Sequence, residues 1–399
     1  MRGLSHPNSS AGRRTRAVPL LVLLTAFLGT LLAVPVEGAS RPALAARLLS
    51  ANGTWTKVLT PAVPEGQASL LGVGCQSASL CFAVGVDHTS PIVEQYQGGA
   101  WAGGDVPPAS PAGLSGTELS SVACASSSLC WAVGGLGETE TLLDEYQAGA
   151  WSTVPDAAQT TAGVYSPVLY GVACPTSTSC LMVGATQKGA LIENWGGGAF
   201  SLTQTAGTER GWLGILQSVS CPSSSSCWAV GATIPNLENQ KQEVRTFTEH
   251  WNGSTWQVVQ SPDPGKNQSQ LLSVSCQTES SCYAVGSTEV RKFDTAPLIL
   301  HLVGGRWKVL QDSLPKKDGE GDLTGVSCAT GLGCLAVGAD QQLSRPLAES
   351  LAGAAYRVLG GVPGKEQLAA ISCPTSSGCW VSGPTASDSA PPIILEYHP

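Results

Sequence analysis

The chain is 399 residues long, with 21 Lys+Arg, 29 Asp+Glu and a mean hydropathy of +0.10, so it can bury a core and is not globally disordered. Setting aside Arg2, Arg13, Arg14, Arg16, Arg41 and Glu37, the part from Ala46 onward keeps 16 basic and 28 acidic residues, a net of −12. A phosphate-binding surface needs clustered cations, yet Leu48 to Glu209 holds two, Lys57 and Lys188, which excludes nucleic acid as a partner.

Residues 1–45 read as an export signal. Arg2, Arg13, Arg14 and Arg16 precede an apolar h-region, Ala17 to Val34, and small-residue cleavage sites follow, the better one at Ala43-Leu44-Ala45. Left uncleaved, the 18-residue apolar run would serve as a membrane anchor. Arg13-Arg14 hints at twin-arginine export but lacks the usual continuation, and no cysteine near the h-region offers a lipid anchor. Export implies an oxidising compartment, either the cell envelope or the extracellular space.

Residues 46–399 read as one domain built on a repeat. All 14 cysteines fall into seven pairs with five residues between partners: Cys75/Cys81, Cys124/Cys130, Cys174/Cys180, Cys221/Cys227, Cys276/Cys282, Cys328/Cys334 and Cys373/Cys379. The period is near 50 residues, which marks a propeller or solenoid. Five residues before each first cysteine sits a leucine (Leu70, Leu119, Leu169, Leu216, Leu271, Leu323, Leu368), and two before it sits Val or Ile. After the second cysteine the chain reads FAVG, WAVG, LMVG, WAVG, YAVG, LAVG and WVSG. These are two β-rich runs joined by a short polar turn, strands A and B of a hairpin in which the paired cysteines face each other as a disulfide. A second hairpin follows, from an acidic, apolar strand C through a Gly-rich turn to an aromatic on strand D, as in Thr248–Trp256 (TEHWNGSTW). The D-strand aromatics Trp101, Trp151, Phe200, Trp256, Trp307 and Tyr356 recur at a fixed position and read as packing rather than sugar platforms.

Six complete units leave two fragments. The last unit stops after strand C at IILEYHP, and ANGTWTKV near the start is a lone D strand carrying Trp55. Together they complete a seventh unit and interlock the ends. The expectation is therefore an all-β, seven-bladed propeller with four antiparallel strands and one disulfide per blade, and a monomer.

Function belongs on the variable connections rather than the uniform A–B and C–D turns. The longest B–C segments, 232–247 and 287–297, bring Lys241, Arg245, Arg291 and Lys292 to a cation-poor chain. The D–A connection into the fourth unit adds Arg210 with Trp212, the one tryptophan here outside the repeat pattern. These six residues form the candidate surface for a protein or glycan ligand, with the cations favouring an anionic or sugar-bearing partner. No cofactor and no metal is expected: Asp318 to Asp322 (DGEGD) lacks the ligand spacing of a calcium loop, and every cysteine has a partner. Catalytic motifs are missing, and Glu94, Glu193 and Glu249 recur within C strands as structure would.

With L-x-[GSA]-V-x-C-x₅-C-x-A-V-G in hand, the chain resembles secreted bacterial β-propeller repeat proteins and is similar at greater distance to the sialidase/BNR-like propeller superfamily. The superfamily resemblance implies an alternative, a sialidase-like or lyase-type carbohydrate-active enzyme. Against it, Asn252–Trp256 (NGSTW) lacks the Asp of an Asp-box, and the first three units contain no arginine for a sialidase triad. The expectation is an exported, non-enzymatic binding propeller, associated with a membrane only if the signal stays uncleaved.

Overall fold

The computed structural model describes residues 53–58, 68–88, 90–103, 117–137, 139–236, 243–265, 267–291, 294–310, 321–341, 344–385 and 392–399. Each repeat is an antiparallel meander of four strands, A innermost to D outermost. In the fourth repeat these are Trp212–Ser223, Ser226–Pro235, Arg245–Trp251 and Trp256–Val258. The seventh repeat takes Ala370–Thr375, Gly378–Thr385 and Pro392–His398 from the C-terminus, and Thr54–Val58 completes it, with Trp55 opposite Tyr397. Among the described residues the strands group into six sheets, five of four strands and one of eight, where the first and seventh repeats join through a single bridge from Ser69 to Pro384. The innermost strands pack side by side in chain order, and Ala370–Thr375 returns against Ala68–Ser77.

The motif now has a physical cause at each position. In the first six repeats strand A carries a bulge just after its leucine, as between Leu216 and Ser218. One extra residue flips the pleat, so the leucine and the valine three positions later both face apolar interior. Leu70, Leu119, Leu169, Leu216, Leu271 and Leu323 are all at 0 % exposure. The bulge also presses the strand against its B partner. A Cβ at Gly231 would land on the Ile215 carbonyl oxygen, and the same overlap recurs at Gly85, Gly134, Gly184, Gly286 and Gly338, which is why the run ends in glycine.

All seven disulfides close between adjacent A and B strands: Cys75–Cys81, Cys124–Cys130, Cys174–Cys180, Cys221–Cys227, Cys276–Cys282, Cys328–Cys334 and Cys373–Cys379, with Cα–Cα distances of 3.9 to 4.1 Å. The two members of a pair are not equivalent, a difference that their common spacing does not show. The second cysteines, Cys81, Cys130, Cys180, Cys227, Cys282, Cys334 and Cys379, are at 0–1 % exposure and belong to the apolar core. Strand B, on which they lie, is covered on both faces by neighbouring repeats. Among the first cysteines Cys75, Cys124, Cys174, Cys221, Cys276 and Cys328 are partly exposed, because strand A lies nearer the axis.

Inside four of the small rings, Ser or Thr two residues after the first cysteine accepts the amide two residues on, as Ser126 Oγ does from Ser128 N at 3.2 Å and Thr375 Oγ1 from Ser377 N at 3.2 Å. Each ring contributes roughly 2–2.5 kcal/mol by the chain-entropy estimate.

The apolar core lies between repeats rather than within them. Seven clusters fill seven junctions, and the last joins Trp380 and Ile394 of the seventh repeat to Leu70, Cys81 and Trp101 of the first. The second cysteines take part in this packing: Cys130, Cys180, Cys282, Cys334 and Cys379 each sit in one of these clusters. The aromatic after the second cysteine meets the D-strand aromatic of the next repeat edge-on: Phe82 with Trp151 at 5.2 Å, Trp131 with Phe200 at 5.2 Å, Trp228 with Trp307 at 5.3 Å and Trp380 with Trp101 at 5.3 Å. Nearer the axis, serines of one A strand accept amides of the next. Val274 N donates to Ser218 Oγ at 3.2 Å, Cys328 N to Ser275 Oγ at 3.0 Å, and Cys75 N to Ser372 Oγ at 3.1 Å, the last running from the first repeat back to the seventh.

Two expectations for the variable segments need correction. Residues 287–291 and 294–297 belong to strands: Ser287, Thr288 and Glu289 pair with Pro297, Ala296 and Thr295, so the B and C strands run on. The β-branched Thr288, Val290 and Thr295 suit this extension. Likewise 232–235 and 245–247 belong to strands, with Thr233 opposite Arg245. A helix of four residues, Ala157–Thr160, also sits in the D–A connection into the third repeat, capped by Asp156 Oδ1 accepting from Gln159 N at 2.8 Å. The export-signal residues 1–45 lie outside the described residues.

Candidate functional site

The repeat fixes strand C of the fourth repeat, and the fourth repeat's non-repeating connections build a cavity around it. The volume is about 550 Å³. One wall is the D–A connection Gly207–Trp212, the second is Arg245–Thr248 of strand C, and the floor is Val258–Asp263, where strand D runs out.

Trp212 and Arg245 bring the two walls into contact. The Arg245 guanidinium carbon lies 4.3 Å from the Trp212 ring centroid, and its Nη2 is 2.6 Å from Glu243 Oε2. A cation stacked on an indole contributes about 0.5–1 kcal/mol at a half-exposed site. The hydroxyls around the cavity turn inward. Thr208 Oγ1 donates to the Trp212 carbonyl at 2.7 Å, Thr248 Oγ1 to the Val259 carbonyl at 2.5 Å, and Thr246 Oγ1 to the Pro262 carbonyl at 3.0 Å while accepting from Ser261 at 2.8 Å. With these groups satisfied, the surface offered to a ligand is the indole, the half-exposed Val258 and the acids Glu209 and Asp263. Burial pushes the Asp263 carboxyl up, while hydrogen bonds from Ser269 and the Thr246 amide, together with Arg245, pull it down.

Glu249, at 0 % exposure on strand C of the fourth repeat, is held up at about 7 by burial, and neither of its oxygens has a hydrogen-bond partner among the described residues. In the third repeat the equivalent carboxylate holds a connection. The Ala157 amide donates to Glu193 Oε1, and burial, with Asp156 nearby, pushes Glu193 up to about 8. Glu193 therefore positions the connection into its own repeat.

The third repeat repeats the surface motif on a smaller scale. Tyr165, exposed at 56 %, lies beneath Lys188, whose Nζ is 5.0 Å from the ring centroid and donates to the Gly163 carbonyl at 2.9 Å. Tyr165 borders a groove of about 410 Å³ with Glu140. A third cavity, about 750 Å³, lies where the inner strands of all seven repeats converge, lined by Gly72, Ser121, Gly171, Ser218, Ser273 and Gly325 among others.

Of the six residues expected at the site, the structure brings two together, Trp212 and Arg245. Arg210 is exposed on the same connection but does not line the cavity. Arg291 ends strand B of the fifth repeat opposite Asp294, and its side chain lies outside the described residues, as do Lys241 and Lys292. The cysteines contribute nothing to the site. Cys130, Cys180, Cys282, Cys334 and Cys379, like Cys81 and Cys227, are buried in disulfides that no ligand reaches, and none of the fourteen lines the Trp212–Arg245 cavity. The sequence reading missed Glu209, Glu243, Val258 and Asp263. Glu243 was legible as the acid two residues before Arg245 in Glu-Val-Arg, just ahead of strand C.

No family model and no curated protein matches the chain. Among solved structures, "YCF48 bound to D1 peptide" is similar with a TM-score of 0.56 and 15% identity, covering 90% of this chain and 99% of that one. The WD40 beta propeller domain of Doa1 gives 0.54 at 12% identity, over 86% of this chain and 97% of that one. The GH74 xyloglucanase from Xanthomonas campestris gives 0.50 at 12% identity, over 86% of this chain and 55% of that one. The fold is a β-propeller. At such low identities the likeness carries the fold and nothing more.

Proposed function

We propose that the protein is an exported binding propeller of seven blades, without catalytic activity, that docks a segment of a partner protein at the Trp212–Arg245 cavity. The observation that carries this reading is the cavity itself: an indole and a half-exposed valine beside the acids Glu209 and Asp263 make a surface that grips a side chain. Seven filled junctions and the Cys75–Ser372 hydrogen bond support a closed ring of seven blades. Seven disulfides support an oxidising compartment outside the cytoplasm. A similar propeller carries a bound peptide, which supports a protein-type ligand here.

The carbohydrate-active alternative needs two carboxylates facing each other across a substrate. Glu94, Glu193 and Glu249 instead point into the protein at 4 %, 0 % and 0 % exposure. Peptide and glycan arrays probed with the purified protein test the reading. The expected result is binding to peptide spots with no sugar release; turnover of any glycan overturns it.

A further inference from the structure

We infer that the segment accepted by the fourth-repeat cavity is basic: an aliphatic side chain beside a lysine or arginine. This rests on the peptide-docking reading above and adds the chemistry of the ligand.

Sequence alone suggests an anion site, because Arg245 enters a cation-poor region. In the structure Arg245 is committed twice, to Glu243 at 2.6 Å and to the Trp212 ring at 4.3 Å. Lys188 of the third repeat is committed likewise, to the Gly163 carbonyl and the Tyr165 ring. Of the acids, Glu209 is the unoccupied one. Glu209 lines the cavity, is exposed, and has no ion pair among the described residues; Asp263 adds a second carboxyl at the floor. Glu209, Glu243 and Asp263 thus stand against Arg245, on a chain whose net charge from Ala46 is −12. An incoming carboxylate would meet repulsion and find its natural partner already paired. An incoming ammonium or guanidinium meets Glu209 at the rim.

The aliphatic part follows from the floor. Val258 is 50 % exposed beside Phe247 and Trp212, which offers an apolar contact without a polar group to satisfy. The third repeat packs beside this surface. Its B–C turn reaches the fourth repeat, where Gly214 lies against the Ala190 side chain, two residues from Trp212. Glu140 on the groove beneath Tyr165 gives a second acidic point for a longer basic segment.

Two short dye-labelled peptides test this, one with leucine flanked by lysines and one with leucine flanked by glutamates, titrated against the full protein by fluorescence anisotropy. The lysine peptide is expected to bind at least about tenfold more tightly, with the gap narrowing as salt rises. Glu209→Gln is expected to cut the gap about threefold without altering thermal stability, and Val258→Ser to weaken the lysine peptide. Equal affinity for both peptides, each lost in Val258→Ser, overturns the charge inference and leaves the docking site standing. Tighter binding of the glutamate peptide overturns it as well. If neither peptide binds, or if Val258→Ser and Trp212→Ala change nothing, the docking reading falls too.

Discussion

The two ends of the fourth repeat follow different rules. At the A–B end, Cys221 and Cys227 close the same small ring found in every other repeat, and Trp228 fills the same junction that Phe82, Trp131 and Trp380 fill elsewhere. At the connection end nothing is shared with all the others: Trp212, Arg245, Glu243 and Val258 meet in an arrangement that the third repeat only partly copies with Tyr165 and Lys188. One end recurs across the chain's own repeats because the packing of each repeat on its neighbour demands it. The other is free of that demand, so it can carry a site. Substitutions at the first end should change stability, and substitutions at the second should change binding.

The largest expected effect is Trp228→Ala. It removes an indole buried at 3 % exposure that packs edge-on against Trp307 and stacks on His250 at 4.3 Å. A loss of about 3–5 kcal/mol is expected, read by chemical denaturation. Next, replacing both Cys221 and Cys227 by alanine should cost roughly 2–2.5 kcal/mol while leaving ligand binding intact. Binding lost in step with stability there would erase the distinction between the two ends.

A pH dependence of similar size follows from the buried C-strand acids. Glu349 is at 0 % exposure, burial pushes its carboxyl up to about 8, and neither oxygen has a hydrogen-bond partner among the described residues. The unfolded chain releases this proton near the ordinary 4.5, so between those values the folded state holds more protons. Stability is therefore greatest at acid pH and falls as pH rises toward 8; Glu193 adds to the same trend. The equivalent positions in the fifth and seventh repeats hold Leu300 and Leu395, each opposite its B strand as Glu349 is opposite Ala336. Glu349→Leu should flatten the profile of Tm against pH and stabilise the protein by on the order of 2 kcal/mol at pH 9. Parallel profiles for the two proteins would contradict the assignment.

Much of the propeller was legible because a repeat reports each constraint seven times. Leucine, valine, cysteine and glycine recur where a bulge, a junction, a ring and a tight strand contact require them, and a single pattern gives strand order as well. The bulge after Leu216 was not legible: it shows as an unbroken apolar strand and is revealed only by which residues pair. Nor was the asymmetry within each cysteine pair, since the burial of Cys282 beside the partly exposed Cys276 depends on how repeats stack. Residues 287–297 looked like a loop because charge and proline interrupt them, yet pairs such as Thr288 with Ala296 and Glu289 with Thr295 extend the hairpin. The site was half legible. Trp212 stood out by breaking the pattern, whereas Asp263 and Val258 reach the cavity through the path of strand D, which local sequence does not encode.

The smallest stability effect and the sharpest functional one meet in Val258→Ser, at a half-exposed edge position where less than about 0.5 kcal/mol of stability is at stake. The docking claim itself is tested most directly on a peptide array probed in parallel with the wild-type protein and Trp212→Ala, each checked first for seven intact disulfides and an unchanged Tm. Spots bound by the wild type are expected to fade in Trp212→Ala. Unchanged spots in a folded Trp212→Ala protein would contradict docking at this cavity.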